Sequence, residues 1–324
     1  MNSKHLTEYI KAEALRLGFF ASGIAKAEKV DNEYANRFLR QISLHSFSDM
    51  HYMYENVDKR LDPQLLVPGV KSIISVALNY APQQYLPEQG YQIAAYALGQ
   101  DYHEIIKKKL FQLGTSIPAE NIHYRCFVDT APVLERYWAQ KAGIGWIGKS
   151  QQLIIPHAGS MFFLGEIFLD VELDYDTPIA NHCGSCKRCI EACPTHAITE
   201  DEETTSSFHI ECSKCLSYQT IENKGKLSEE AKAVMDKTIY GCDRCLQACP
   251  WNRFSTPTTI AELEPKPQLM AMKKDDWRQL SEEQYRLLFK GSAVKRAKYS
   301  GLIRNIEVVD SNSKTKTDKK NKSK

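Results

Sequence analysis

The chain has 324 residues, of which 43% are hydrophobic and 25% are charged, with a formal net charge of +2. This is an ordinary composition for a globular protein with a real core, and no apolar run approaches the ~20 residues that a membrane-spanning helix needs. The first twenty residues carry charges throughout and lack the apolar region of a signal peptide. The sequence therefore predicts neither a membrane-spanning helix nor a signal peptide, and we expect a cytoplasmic protein.

Helices and strands alternate in the prediction for the first half of the chain. Apolar residues at helical spacing predict an opening helix that ends at Gly18. The alternating, β-rich residues 72–79 predict a strand. Residues 101–113 predict a helix, with Asp101 as its N-cap and Gly114 at its end. Further along, we expect a strand at residues 122–128, a helix from Pro132 to Ala142, and strands at residues 152–155 and 161–171 joined by a turn with Gly159.

This mixture predicts an α+β fold with four parts along the chain. Residues 1–175 form a mixed α/β domain, residues 176–257 hold most of the cysteines, and residues 258–309 are helical. Residues 310–324 carry six lysines and two aspartates, a local charge of +4, and no apolar side chain. We expect them to form a disordered basic tail.

Nine of the ten cysteines lie between positions 183 and 249. The first run has the spacing C-x2-C-x2-C-x3-C-P of bacterial ferredoxins, in which the fourth cysteine ligates the other cluster. A second run repeats the C-x2-C-x3-C-P ending. Crossed ligation therefore predicts two [4Fe–4S] clusters, one on Cys183, Cys186, Cys189 and Cys249, and the other on Cys193, Cys242, Cys245 and either Cys212 or Cys215.

Zinc is the alternative for part of this pattern. Two C-x2-C pairs, Cys212 with Cys215 and Cys242 with Cys245, have the spacing of a ribbon-like zinc site. That interpretation leaves five cysteines and both C-P endings without a purpose, so the clusters are favoured. Cys126 stands apart and is predicted to be a buried small side chain.

A candidate reaction site precedes the cysteines, because a ferredoxin alone would need far fewer residues. A predicted strand runs directly into Asp129, and a helix follows. A carboxyl placed there can be partly desolvated, with a raised pKa, and act as an acid near neutral pH. The alternative is that Asp129 only caps the helix. Residues 143–150 hold three glycines around Trp146, which favours either a glycine-rich turn or close backbone approach to a large flat or anionic ligand.

Six segments carry a resemblance to one known family: residues 127–135, 142–149, 183–194, 214–222, 240–252 and 293–305. Together they resemble the epoxyqueuosine reductases, and the resemblance runs from about residue 5 to residue 306. It implies an oxidoreductase that completes queuosine at the tRNA wobble position by removing the epoxide oxygen. It also implies two [4Fe–4S] clusters, a base-off cobalamin, a nitroreductase-like sheet, and a relationship to reductive dehalogenases.

The resemblance assigns roles to individual residues. Asp129 falls on the family's proton donor, and Cys215 falls on the remaining cluster ligand, which leaves Cys212 spare. His103 is not in a D-x-H-x-x-G context, because Ile106 takes the glycine position, so it is not expected to be an axial ligand of the corrinoid. The cobalamin contacts implied by the family are Arg60, Tyr102, His103, Asp129, Lys149, Ser150, Gln151, Gln152 and Ser160.

A tRNA substrate requires cationic contacts with phosphate. One candidate group is the lysine triplet at residues 107–109, and a second group lies near the C-terminus. For each group, the alternative is a solvated helix face. We expect a monomer that receives electrons from an unidentified donor and has no membrane partner. The C-terminal candidates for tRNA binding are Lys295, Arg296, Lys298 and Arg304.

Two other functions are compatible with the same pattern. The first is a corrinoid-dependent reductase of a small molecule, such as a reductive dehalogenase. The second is an electron carrier or cobalamin-reducing protein without catalytic activity on tRNA. Activity on epoxyqueuosine-containing tRNA would separate both from the favoured interpretation.

Overall fold

The computed structural model describes residues 2–200 and 207–322, and for residues 314–322 the backbone alone. Short 3-10 helices lie at His51–Met53, Ala95–Ala97, Pro250–Phe254, Ala261–Leu263 and Ala293–Ala297. The strands β1 to β10 are Ala21–Lys26, Ser72–Asn79, Gln92–Ile93, Tyr124–Phe127, Trp146–Ile147, Leu153–Ile154, Phe162–Leu169, Ile198–Glu200, Phe208–Ile210 and Thr238–Tyr240. The helices α1 to α14 are Ser3–Arg16, Asn32–Ser43, Val57–Leu61, Pro63–Leu66, Tyr102–Ser116, Glu135–Lys141, Arg188–Glu191, Leu216–Ile221, Glu229–Val234, Arg244–Gln247, Pro267–Ala271, Lys274–Arg278, Glu282–Leu288 and Lys298–Lys322.

A four-stranded antiparallel sheet organises the N-terminal part, with the order β1-β2-β7-β4. Successive side chains of a strand point to opposite faces, and here both faces are covered. Helices α1 and α5 pack on one face, beside residues such as Ile74 and Ile167. Helix α6 packs on the other face, beside Ile73 and Phe168. The α+β prediction is confirmed.

The predicted elements agree with the structure except at some ends. Strand β2 occupies the residues predicted for it, and Asp101 caps α5 by accepting a hydrogen bond from the His103 backbone N–H. Helix α5 continues past Gly114 to Ser116, however, so the prediction of its end is wrong. A side chain at Gly114 would meet the Tyr124 ring, so this glycine provides clearance instead of a stop. Helix α6 begins at Glu135, three residues after the predicted start at Pro132.

The C-terminal helices share a core with earlier parts of the chain. Leu86, Leu98, Tyr240 and Leu302 belong to one buried apolar cluster, so residues 258–309 do not pack by themselves. The domain boundaries at residues 175 and 257 stay a prediction.

The predicted disorder from residue 310 is wrong for the residues that begin this segment. Helix α14 runs through it, and Asp310 accepts hydrogen bonds from Tyr91 Oη at 2.5 Å and Arg278 Nε at 2.8 Å. Asn312 Nδ2 donates to the carbonyls of Lys232 and Met235. These side-chain contacts fix the first residues of the segment to the rest of the protein, and the polar composition of the segment did not indicate them. Residues 323 and 324 lie outside the described residues. Over the two described stretches, no helix combines the length and apolar character needed to cross a membrane.

Candidate functional site

Asp129 lies on a tight turn directly after strand β4. Its backbone has φ +55°, a left-handed conformation that costs a non-glycine residue about 1–2 kcal/mol. Three contacts hold it there: Asp129 Oδ2 accepts from Tyr102 Oη at 2.8 Å and lies 3.1 Å from His103 Nε2, and the Asp129 backbone N–H donates to Glu135 Oε1 at 2.5 Å. The Asp129 side chain is still 57% exposed, so its carboxyl is available to a substrate.

His103 lies between two carboxylates at the start of α5. Its Nδ1 is 2.5 Å from Asp101 Oδ1, and its Nε2 faces Asp129. The hydrogen bonds to Asp101 and then to Asp129 outweigh burial and raise the pKa of His103 to about 9. The same hydrogen bond from His103 holds the pKa of Asp101 well below its usual range, with help from Lys295 Nζ at 3.0 Å. His103 is therefore protonated at neutral pH.

The expectation of a raised pKa for Asp129 is wrong. Desolvation does raise the pKa of this carboxyl, but hydrogen bonds from His103 and Tyr102 outweigh it, and the pKa is lowered. A carboxylate that accepts hydrogen bonds is stabilised in its charged form. At neutral pH the proton therefore resides on His103 Nε2, from which it can pass to Asp129 Oδ2.

The first set of four cysteines gathers around helices α7 and α10, which pack against each other. Burial, followed by the nearby sulfurs of Cys183, Cys249 and Cys186, raises the pKa of Cys189 to about 11. The structure thus brings Cys249 to the run that begins at Cys183. This grouping is the one that crossed ligation predicts for the first cluster.

A second group of sulfurs gathers around Cys245. Burial, followed by the sulfurs of Cys242, Cys215 and Cys193, raises the pKa of Cys245. Cys212 is a neighbour of Cys215, and its backbone N–H donates to the Ser46 carbonyl at 2.9 Å. The neighbours of Cys245 therefore favour Cys215 as the fourth member.

A single-ion site is not formed by these cysteines. Across residues 2–200 and 207–322, no three side chains of His, Cys, Asp or Glu converge closely enough to hold one metal ion. A [4Fe–4S] cube spreads its thiolate ligands over four separate irons. The four sulfurs that bind such a cube consequently lie farther apart than the four ligands of a single zinc ion.

The glycine-rich segment packs against protein, which favours the turn interpretation over the ligand interpretation. A Cβ at Gly145 would lie 2.2 Å from the Ile154 carbonyl oxygen, and one at Gly148 would lie 3.4 Å from Cys183 Sγ. Because Gly145 and Gly148 have no side chain, β5 can pair with β6 and the segment that contains Cys183 can pack against Gly148. The glycines are thus explained by contacts within the chain.

Most of the predicted cobalamin contacts after Lys149 are engaged with the cysteine-rich part. Lys149 Nζ donates to the carbonyls of Gly184 and Cys186, at 2.8 and 3.0 Å. Gln151 Nε2 donates to the Phe208 carbonyl at 2.6 Å. Ser160 follows the same trend, because its N–H donates to Asn252 Oδ1. Ser150 is buried, and the Gln152 carbonyl accepts from the Gly148 N–H of its own segment.

Arg60 holds a loop near the site. It is buried, and its guanidinium donates to the carbonyls of Tyr52 and Glu55. Tyr52 is 45% exposed, and the Arg296 guanidinium lies 5.8 Å from the centre of its ring. Arg60 thus supports the loop that presents an exposed aromatic ring, and it does not face solvent itself.

The C-terminal cations divide into two groups. Lys295 pairs with Asp101, and Arg296 pairs with Glu222 at 2.8 Å, yet their side chains are 61% and 55% exposed. Lys298 is also exposed. Arg304 instead donates to the backbone carbonyls of residues 219, 223 and 225 and to the Asn305 amide oxygen. Its donors are committed within the chain, so we leave it out of the tRNA contacts.

Comparisons with known proteins identify the family of this chain. A family model described as "Epoxyqueuosine reductase QueG, DUF1730" matches residues 60–130, and one described as "4Fe-4S double cluster binding domain" matches residues 182–252. The epoxyqueuosine reductase of Cellulophaga algicola is 44% identical over 310 residues, which are 95% of this chain and 99% of that protein. The Escherichia coli epoxyqueuosine reductase is 36% identical over 95% of this chain and 81% of its own length.

This chain belongs to the epoxyqueuosine reductase family. A solved epoxyqueuosine reductase from Streptococcus thermophilus superposes with a TM-score of 0.82 at 27% identity, covering 94% of this chain and 80% of that one. A crystal structure of an epoxyqueuosine reductase with an epoxyqueuosine-modified tRNA-Tyr stem loop superposes with a TM-score of 0.84 at 26% identity, covering 96% and 82%. The fold and the two-cluster segment are thus those of the family.

Aromatic side chains connect the cysteine-rich part of this family member to the Asp129 turn. Tyr240 lies two residues before Cys242, and its Oη is 3.2 Å from Tyr96 Oη. The Tyr96 ring lies edge-on to Tyr102, with 6.4 Å between ring centres. Tyr102 in turn bonds Asp129. The reaction site and the second cysteine set are therefore in continuous contact.

The sequence reasoning missed two carboxyls behind the turn. Glu135 contacts the Asp129 backbone, and Glu166 lies in the middle of β7 with no exposed surface. Glu166 is the one charged residue in the apolar residues 161–169. A lone charge in a buried strand was the signal that could have found it.

Proposed function

We propose that this chain reduces epoxyqueuosine in tRNA to queuosine by removing the epoxide oxygen. The observation that carries the proposal is the exposed Asp129 carboxyl. It is bonded to a protonated His103 and connected through Tyr102, Tyr96 and Tyr240 to the cysteine-rich part. Such a site can deliver protons to a substrate at Asp129 that is reduced by electrons from the cysteine-rich part. We further propose a cytoplasmic monomer that receives its electrons from a separate donor.

Asp129 and His103 act together in the proposed proton delivery. Their atoms Oδ2 and Nε2 are 3.1 Å apart, within reach of direct proton transfer. The epoxide oxygen needs a proton as its C–O bond opens. Asp129 offers the exposed oxygen that delivers this proton, and the His103 imidazolium supplies it.

The residues around Asp129 also fit a corrinoid that takes no axial ligand from the protein. Both ring nitrogens of His103 are occupied by carboxylates, so His103 is not free to coordinate cobalt. Tyr102 stacks on Phe163, with 4.0 Å between ring centres and 7° between planes. Tyr102 is the proposed contact, because Ser150 and Ser160 are buried, and bound cobalamin would supply the electrons that open the C–O bond.

The proposed tRNA contacts are Lys295, Arg296 and Lys298. They are exposed, and Lys295 is connected to the reaction site through Asp101 and His103. Cations at the rim of the site can bind the phosphates that flank the modified nucleotide. Of the lysine triplet, Lys109 donates to the Leu17 carbonyl at 2.7 Å, which gives it an internal role.

A salt titration of tRNA binding tests this surface. We expect Lys295→Ala to weaken binding and to reduce the slope of log affinity against log salt by about 1, because one phosphate contact is lost. Lys4→Ala, at an exposed position of α1, is the control and should leave the slope unchanged. An unaltered slope for Lys295→Ala would remove it from the tRNA contacts.

The function itself is tested on the whole chain. The protein is reconstituted anaerobically with iron and sulfide, then incubated with cobalamin, a reductant and epoxyqueuosine-containing tRNA. Nucleosides are analysed by mass spectrometry. Conversion to queuosine supports the proposal. A protein that binds both clusters and accepts electrons but leaves epoxyqueuosine unchanged would be an electron carrier instead.

A further inference from the structure

A row of four residues crosses the central sheet behind Asp129. Cross-strand register places Gly23 opposite Ser75, Ser75 opposite Glu166, and Glu166 opposite Phe127. Ser75 and Glu166 are fully buried. Among the described residues, no donor reaches Ser75 Oγ or either carboxyl oxygen of Glu166, and the neighbour of Glu166 is a second carboxyl, that of Glu135. Polar atoms without a donor thus lie side by side in an otherwise apolar layer.

Burying these polar groups in the core lowers the stability of the folded chain, so a role in structure alone does not explain them. Burying an ionised carboxylate without a partner is so unfavourable that such a group takes up a proton instead. Burial, and then the neighbouring Glu135 carboxyl, raise the pKa of Glu166 well above its usual range. An apolar side chain of similar volume would avoid the cost altogether. Glu166 is therefore a neutral carboxylic acid that retains its proton at neutral pH.

Glu135 connects this buried acid to the reaction site. It is the first residue of α6, and its Oε1 accepts the Asp129 backbone N–H at 2.5 Å. Burial and the Asp129 carboxylate raise the pKa of Glu135 to about 8, against the nearby cations Arg136 and His103. The Glu135 carboxyl also holds a proton at neutral pH, next to the residue that faces the substrate.

We propose that Ser75, Glu166 and Glu135 form a buried proton store that returns a proton to Asp129 during each turnover. This inference rests on the proposed function. Removal of an epoxide oxygen as water, with formation of a C=C bond, consumes two electrons and two protons. The electrons come from the external reductant through the clusters. The first proton converts the opened oxygen to a hydroxyl group, and the second leaves with that hydroxyl as water.

The two protons have different sources in this scheme. His103 holds one and passes it through Asp129 Oδ2. His103 is then neutral and no longer offers Asp129 a charged hydrogen bond, while Glu135 stays bonded to the Asp129 backbone N–H. Glu135 gives up the second proton, and Glu166 shares its own proton with Glu135. Glu135 and Glu166 do not touch the substrate and are positioning residues that act through Asp129.

Infrared spectroscopy of the resting protein tests whether Glu166 is protonated, without any need for the reaction to proceed. Wild-type holoprotein at neutral pH should show carboxylic acid C=O absorption from Glu166 and Glu135 that shifts in D2O, and Glu166→Gln should remove the Glu166 component. Glu172→Gln, at an exposed position just beyond the same strand, is the matched control and should keep that component. A Glu166→Gln spectrum identical to that of the wild type would overturn the proposal, because Glu166 would then be ionised.

Single-turnover kinetics test the connection to the reaction. Glu135→Gln and Glu166→Gln should form queuosine 10- to 100-fold more slowly than wild type at unchanged tRNA affinity, and Glu172→Gln should match wild type. The wild-type rate should fall as pH rises through about 8, and Glu135→Gln should lose this fall and keep only the later one at about 9 that His103 sets. If Glu166→Gln does not fold, Glu135→Gln carries the same test at a partly buried position.

The outcomes separate this inference from the function on which it rests. A wild-type chain that makes queuosine, with both variants equal to it in rate and pH profile, overturns the proton store alone. A wild-type chain that makes no queuosine overturns the proposed function and the store with it. Slow variants with an altered pH profile support both.

Discussion

Asp129 depends on residues from two other elements for its conformation and its charge. Tyr102 and His103 come from the start of α5, and Glu135 comes from α6. The position of Asp129 after a strand was predictable from the sequence, because the β-rich residues before it were recognisable. The direction of its pKa was not, because the groups that lower it lie 26 and 27 residues earlier in the chain.

The charge on His103 gives a pH dependence of stability that can be measured. The His103 pKa is raised from 6.5 to about 9 in the folded chain, so its contribution is fully present below pH 6.5 and is lost as the pH rises through about 9. We expect this contribution to be on the order of 2 kcal/mol. The midpoint of thermal unfolding of His103→Gln should lie below that of wild type at pH 6, and the difference should shrink by pH 10. A constant difference would contradict the raised pKa.

Cys212 and Cys215 provide a matched pair for testing cluster ligation. From cysteine spacing alone either could be the eighth ligand, and the structure groups Cys215 with Cys245, Cys193 and Cys242. We expect Cys215→Ser to lose one cluster, seen as a fall in iron content and in the EPR signal after reduction. Cys212→Ser should keep both clusters. The reverse result would exchange their roles.

At the scale of elements, α6 approaches the central sheet closely enough that β1 must carry a glycine. A Cβ at Gly23 would lie 1.9 Å from the carbonyl oxygen of Ala142, just past the end of α6. The two atoms nearest to that Cβ, the carbonyl oxygen and carbon of Ala142, belong to the backbone, so relief requires α6 to move. Because α6 begins with Glu135, such a movement would also displace the Asp129 turn.

Gly23→Ala should therefore destabilise the chain by about 1–3 kcal/mol, as overpacking of a core does. Gly301→Ala is the control, since its Cβ would make only an ordinary contact of 3.7 Å with Ala297. In the interior of α14 this change should instead stabilise by about 0.5–1 kcal/mol. Urea unfolding measures both, and a neutral Gly23→Ala would contradict the packing described for α6.

Element types were more predictable than element ends. Strand β2 was found because its β-rich pattern is strong over eight residues. Gly114 misled the prediction because a glycine that provides clearance for Tyr124 looks the same in sequence as one that ends a helix. The glycines around Trp146 were ambiguous for the same reason, since their neighbours come from a strand that follows them. Glycine alone does not reveal which backbone or side chain approaches it.

At the scale of the whole molecule, the parts predicted along the chain share their cores. One apolar cluster joins residues near Leu98, Tyr240 and Leu302, and Arg304 ties α14 to the segment after α8. The cysteine runs indicated iron–sulfur clusters because their spacing is local. The packing of the C-terminal helices onto earlier residues, and the anchoring of Asp310, depend on long-range contacts that no local pattern encodes.

The central claim is that this chain reduces epoxyqueuosine with Asp129 as the group that delivers protons to it. Its most direct test is a single-turnover assay of Asp129→Asn with epoxyqueuosine-containing tRNA. Clusters and bound cobalamin are verified by absorption spectra. Asp170→Asn is the control, at the opposite end of the β4–β7 pair. We expect Asp129→Asn to retain both cofactors and to form queuosine 10²- to 10⁴-fold more slowly, with Asp170→Asn close to wild type; near-normal turnover by Asp129→Asn would contradict the claim.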